Sequence, residues 1–318
     1  MEQRALQIGA AALALALLLR LAATWENGKQ ELSKTLLFFS TGRLITETVS
    51  PEQETVWERP VESEPTEPVV APVFGEEQLS LVQVNADWSV DTLSLLQQPL
   101  QWNLISDAPT VLILHTHGSE SYEKQADYAE TSPYRTLDTR YNMVSVGDRV
   151  AELLEAGGVH VIHDRTVHDY PSYNDAYDHA RSAIERYLAE NPEIVLVLDL
   201  HRDASEDASG NQTSYGVTIN GASTANLMLV MGSDTGSLPY PNWEQNLALA
   251  VKLQAQLEQT HPGLCRPVKV VDSRYNQDLC PGGLLVEVGT AGNTHEEALR
   301  AAEFLAEGIL ALAHGANH

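Results

Sequence analysis

Cysteine is scarce in this chain. Its 318 residues include two, Cys265 and Cys280, and no Cys-x-x-Cys pair. A thiolate zinc site is therefore excluded, and the two thiols either form one bridge outside the cytoplasm or sit apart. Basic residues are also few. Lys and Arg number 19 against 44 Asp and Glu, a formal net charge of −25. Nucleic-acid binding needs a basic face that displaces counterions, so this balance argues against it. It fits a soluble, self-repelling body and says nothing about fold. Several catalytic signatures are missing too. There is no Gly-x-Ser-x-Gly elbow, no Walker A or dinucleotide glycine loop and no HExxH helix. Serine hydrolases of the elbow type, nucleotide enzymes and the common metalloproteases lose their usual markers.

Long apolar runs are limited to one. Residues 5–24 read ALQIGAAALALALLLRLAAT, close to the ~20 residues that a membrane-spanning helix requires. Arg20 stands near the far end, where it can snorkel, and Trp25 falls where interfacial aromatics are common. Residues 1–25 are therefore expected to be an uncleaved signal anchor, with a cleaved signal peptide as the alternative. A short tail inside and a large acidic domain outside is the simpler topology. Residues 26–106 lack sustained periodicity, and 50–72 is rich in Glu, Pro, Thr and Val. Such a segment cannot offset its ordering entropy by burial, so a linker or tether is expected there. The more apolar stretch 79–104 leaves open a hairpin or a docked segment.

From Pro109 the chain alternates strand-like and helix-like segments. Strands are expected at 111–114, 159–162, 194–200, 226–231 and 284–288. Helices are expected at 142–155, 172–190, 242–260 and 294–313, with Ser172/Asp175 and Thr294/Glu297 as cap pairs. The alternation predicts an α/β domain over 107–318: a mostly parallel sheet flanked by helices on both faces.

Three strand ends carry ionisable groups. Val111-Leu112-Ile113-Leu114 runs into His115, His117 and Glu120. The strand 194–200 ends in Asp199, His201, Arg202 and Asp203. Glu287 interrupts the apolar run Leu284–Val288. A lone charge on a buried strand costs several kcal/mol unless it is paired or binds a metal, and ligands in such sheets gather at the carboxyl ends of strands. One histidine of His115/His117, with Glu120 and His201, supplies three donors of the kind catalytic zinc takes. Glu287 is then the candidate base. Either His115 or His117 can be that histidine, and the residues alone leave both open. Asp199 either caps a turn or orients His201, and Arg202 either pairs with Asp203 or binds a substrate carboxylate. Ser119 and Ser121 leave a serine nucleophile conceivable.

Taken in order, HTHGSESY, NMVSVGDRVAELLEAGG, HDYPSYNDAYDHAR, VLDLHRDA, LMLVMGSD, NWEQNLALA, YNQDL and LLVEVGTAGNTHEEA resemble the sporulation stage II protein P family. That family is similar in fold to zinc-dependent N-acetylmuramoyl-L-alanine amidases. The resemblance implies a Zn2+ enzyme that cleaves peptidoglycan between glycan and stem peptide, and cross-links as a further activity, during forespore engulfment. It implies stage II sporulation proteins D and M as partners. It also implies a single-pass anchor in the septal or engulfing membrane with the catalytic domain outside the cytoplasm. On it, His115, His117, Glu120, His201 and Glu287 fall on the family's motif positions. The His-Gly of the broader amidases favours His117 as the zinc ligand, closeness to the strand end favours His115, and His115 is chosen, with His117 and Arg202 assigned to substrate or to supporting contacts. The competing readings are a metal-free wall-binding scaffold and a metallopeptidase confined to cross-links.

Overall fold

The computed structural model describes residues 74–99, 103–235 and 238–314. The expected membrane anchor and most of the expected tether lie outside these. Among the described residues, no helix is long and apolar enough to cross a membrane.

The domain is a mixed α/β structure. In chain order the elements are α1 (Glu76–Leu79), β1 (Val84–Asn85), α2 (Thr92–Gln97), β2 (Val111–Leu114), α3 (Met143–Ala156), β3 (Val161–His163), α4 (Ala176–Glu190) and β4 (Leu196–Asp203). They continue with the hairpin β5 (Gly216–Ile219) and β6 (Ala222–Ala225), β7 (Leu227–Gly232), α5 (Trp243–Thr260), β8 (Val268–Val271), β9 (Gly283–Thr290) and α6 (His295–His314). Seven strands form one sheet in the order β1-β8-β7-β9-β4-β2-β3. β7 and β9 run antiparallel, and every other pairing in that sheet is parallel.

Side-chain alternation along the strands builds two cores. Val111, Ile113, Leu196, Leu198, Leu200, Leu284, Val286 and Val288 face one way, against buried residues of α3, α5 and α6. Leu112, Leu114 and Val197 face the other way, against Ala180 and Ile184 of α4. Helices thus cover both faces, as the sequence predicts. Cys265 packs on the first core and Cys280 sits in the second, so the sheet stands between them and no disulfide joins them.

Helix starts follow local chemistry. The Asn142 side chain accepts from Val144 N at the start of α3. Thr294 and Glu297 cap α6 reciprocally, at 2.9 and 3.2 Å, the capping box expected from their spacing. The expected start of α4 at Ser172 is corrected. That helix begins at Ala176, because the preceding loop is fastened elsewhere through Asp169, which accepts from Ser119 N and Arg135 Nη1.

Residues ahead of 107 dock on the same fold, one of the alternatives left open for 79–104. β1 pairs with β8, and Phe74, Leu95, Leu96 and Leu104 belong to the first core. Lys252 of α5, buried beneath the Phe74 ring, donates to the Leu96 carbonyl. The folded domain therefore includes residues from 74 onward.

Two expectations follow for stability. Leu96→Ala, at a site with 0% exposure, should cost about 2–5 kcal/mol in denaturant unfolding. A fragment starting at 107 should melt well below one starting at 74. Equal melting temperatures would mean that 74–106 does not belong to the core.

Candidate functional site

The sheet has a switch point beside β2. The chain leaves β2 for β3 on one side through α3, then returns through α4 to β4 on the other side. α3 and α4 lie on opposite faces, so a crevice opens at the carboxyl ends of β2 and β4, the usual place for a site in such sheets. β9 adjoins β4, and its register sets Glu287 directly beside His201.

In this crevice His117, Glu120 and His201 come together. One donor atom from each lies within 4.8 Å of the others, and all three residues are buried. His117 Nδ1 is 3.7 Å from Glu120 Oε1, and His201 Nδ1 is 3.6 Å from Glu120 Oε2. The two imidazoles stand edge to face at 5.1 Å. Behind His201, Asp199 Oδ1 lies 3.0 Å from Nε2. Thr116 fixes that carboxylate, donating from N at 2.8 Å and from Oγ1 at 2.6 Å. Asp199 is thus the charged neighbour behind His201, whose Nδ1 faces Glu120.

The charges are balanced locally. Arg135 Nη2 donates to Glu120 Oε1 at 3.2 Å, and Arg202 N donates to Oε2 at 3.2 Å. Burial alone raises the Glu120 pKa, but Arg202, His201 and His117 outweigh it and hold the group down at about 2. Burial likewise works against the charged form of His201, yet Asp199 and Glu120 lift its pKa well above the ordinary value. Glu287 is the opposite case. Its Oε2 is shut off from solvent and has no hydrogen-bond partner. Burial, helped by the nearby Glu120 charge, pushes its pKa to about 8 against the pull of His201.

The comparisons with known proteins agree with the sequence resemblance. The family model described as Stage II sporulation protein P (SpoIIP) matches residues 41–310. The chain belongs to the stage II sporulation protein P family. A curated relative, Stage II sporulation protein P of Bacillus subtilis (strain 168), is 32% identical over 214 residues. The match covers 63% of this chain and 50% of that protein, so the chain spans about half the length of the relative. Among solved structures, N-acetylmuramoyl-L-alanine amidase AmiC2 of Nostoc punctiforme is 14% identical with a TM-score of 0.38, covering 65% of this chain and 96% of that one. The amidase Ami1 from Mycobacterium smegmatis is 15% identical with a TM-score of 0.39, covering 67% and 99%. Both superpositions are loose, and no chemistry of this chain follows from them.

Within this family member the two histidines that follow β2 part ways. His115 does not join Glu120 and His201. It continues the alternation of Val111 and Ile113 onto the opposite face of the sheet. There it has 0% exposure, its Nδ1 donates to the Leu200 carbonyl at 3.1 Å, and its Nε2 lies 2.9 Å from His163 Nε2. Burial and the His163 neighbour lower its pKa to about 3. Gly147 of α3 makes room for this pair, since a Cβ there would lie 2.5 Å from His115 Nε2. His117 takes the place in the cluster instead. Arg202 takes the supporting place among its expected alternatives. It does not pair with Asp203, which is held by Arg266 at 2.6 Å. Arg202 donates to the Ser121 and Tyr134 carbonyls, each at 3.0 Å, so it braces the wall behind Glu120. Ser119 is committed too, its hydroxyl donating to Asp169 at 2.5 Å.

Sequence reasoning missed Arg135, Asp169, Tyr173 and Tyr177. Arg135 bridges Asp169 and Glu120 at 2.7 and 3.2 Å. Tyr173 stacks on His117, with centroids 4.6 Å apart and planes 13° from parallel. Tyr177 stands edge-on to His117 at 5.5 Å. All four come from loops or a helix start without periodic signal. The Tyr-rich segment 170–177 was the one available hint.

The raised pKa of Glu287 makes stability depend on pH. Below pH 4.5 both folded and unfolded states hold the proton, and the stabilisation is present in full. Between 4.5 and about 8 the unfolded state ionises first, so the stabilisation is lost as pH rises. In chelator-treated protein, melting temperature should therefore fall more steeply with pH across this window in wild type than in Glu287→Gln. Parallel profiles would mean that Glu287 titrates as an ordinary carboxylate.

Proposed function

We propose that the chain is a zinc-dependent peptidoglycan hydrolase that cuts the amide between N-acetylmuramic acid and L-alanine. The observation that carries this reading is the buried His117–Glu120–His201 group beside an acid with an unpartnered oxygen. Two imidazole nitrogens and one carboxylate are the donor set of many catalytic zinc sites, which leave a position for water or substrate. The donors fit the ion: they converge, they are buried, and second residues hold them.

His117, Glu120 and His201 would hold the zinc. When bound, the ion supplies Lewis acidity, polarising an amide carbonyl and making water acidic enough to lose a proton near neutral pH. The chain's own groups do the rest. Asp199 fixes the orientation of His201, as carboxylates behind metal-binding histidines do. Arg135 and Arg202 keep Glu120 ionised and in place. Glu287, beside His201 in the strand register, takes the proton of the attacking water and passes it to the departing alanine nitrogen. Burial favours its neutral form, and a cation held beside it would favour the ionised form that accepts the first proton.

The surroundings extend the reading. The apolar run 5–24 would anchor the protein in the septal or engulfing membrane, with the hydrolase domain outside the cytoplasm. Family membership supports a role in engulfment beside stage II sporulation proteins D and M.

The purified full chain with zinc should release stem peptides bearing a free L-alanine amino terminus from peptidoglycan, identified by mass. Glu287→Gln should lower the rate by about 10²-fold or more while keeping bound zinc. His117→Ala should lose zinc, and His115→Ala should retain it. Fragments cut only at cross-links would assign a peptidase. A chain without zinc, unaffected by chelator and inert on the wall, would assign a scaffold.

A further inference from the structure

Tyr170 and Tyr173 are 55% and 54% exposed, although the loop carrying them is tightly fastened. His168 Nε2 lies 3.2 Å from Asp164 Oδ2, and His179 Nδ1 donates to the His168 carbonyl at 2.9 Å. Asp169 accepts from Ser119 N at 3.0 Å and from Arg135 Nη1 at 2.7 Å. The two tyrosines are thus held outward by a buried frame. Tyr173 also meets the metal-binding group directly, with its ring flat against His117 and the Arg135 guanidinium 4.8 Å from its centroid.

We propose that Tyr173, with Tyr170 on the same loop, forms the surface on which the substrate's sugar ring stacks, making Tyr173 a specificity-determining residue. The assignment rests on the hydrolase reading above. In the muramoyl-alanine linkage only an ether oxygen and one carbon separate the amide carbonyl from the sugar ring. A carbonyl placed at His117, Glu120 and His201 therefore brings the sugar against whatever stands beside His117, and that neighbour is Tyr173. A pyranose offers a C–H face that packs on an aromatic ring, and its rim hydroxyls suit a ring with a polar tip. Arg135 is already paired with Asp169 and Glu120. Its charge is spent on those partners, which favours the sugar over the acidic stem peptide on this side. Tyr177, edge-on to His117, backs the wall.

The test uses the full chain and peptide-free glycan strands of alternating N-acetylglucosamine and N-acetylmuramic acid, with affinity measured by calorimetry. Tyr173→Ala should weaken binding by about tenfold or more, and Tyr173→Phe should bind as wild type does. Zinc affinity should be the same in all three. On peptidoglycan, Tyr173→Ala should raise KM by a similar factor and change kcat far less. On a sugar-free lactyl peptide it should lose less than it loses on peptidoglycan. Unchanged glycan affinity in Tyr173→Ala would overturn the proposal, as would a parallel loss of zinc, which would make Tyr173 only a prop for His117. Glycan binding that depends on Tyr173, without hydrolysis by wild type, would sink the hydrolase reading and leave the sugar surface standing.

Discussion

A carboxylate inside a protein must be paid for, and Glu120 is 5% exposed. Removing such a charge from water costs several kcal/mol unless partners compensate. Here they come from three directions. Arg135 approaches from one loop, Arg202 from β4, and His117 and His201 from the two strand ends on which the crevice is built. The pairing explains why His201 favours its charged form and why Glu287, with no such partner, favours its neutral one. One buried acid is fully compensated while its neighbour is left wanting a proton or a cation. That asymmetry would suit Glu120 to a cation and Glu287 to a proton.

The sheet makes the asymmetry geometrical. β2, β4 and β9 lie side by side, and the parallel register sets Leu114 beside Asp199 and His201 beside Glu287. Asp199, His201 and Glu287 then project from one face, into the crevice that opens where the chain changes direction around β2. The opposite face receives His115, sealed under α3 against His163. Two histidines that are neighbours but one in sequence thus serve opposite sides of the sheet, one inside the core and one in the site.

Much of this was legible before any coordinates. Runs such as Val111–Leu114 and Ile194–Leu200 mark covered strands, and ionisable residues at their ends had to be explained. Glu287 stood out because it breaks an apolar run. The choice between His115 and His117 was half legible: the His117-Gly118 pair pointed one way and the strand end the other, and the outcome depends on where β2 ends and how the chain then turns. Closeness to the strand points to His115, but that very closeness keeps it in the strand's alternation. Arg135, Asp169 and Tyr173 were hidden for another reason: they sit on loops, where no period reports which way a side chain faces. The sequence leaves 79–104 open between linker and docked segment, because a two-residue β1 and helices of four and six residues are too short to show a period. Its membership of the core is decided by contacts with α5 and β8, far along the chain.

The claim beneath all of this is that His117, and not His115, completes a metal-binding group with Glu120 and His201. A crystal of the full chain grown with zinc, measured on both sides of the zinc absorption edge, tests it most directly. The anomalous map should show one strong peak at about 2.0–2.2 Å from a nitrogen of His117, a nitrogen of His201 and an oxygen of Glu120, with Glu287 near it but unbound. A peak between His115 and His163, or none in the crevice, would contradict it.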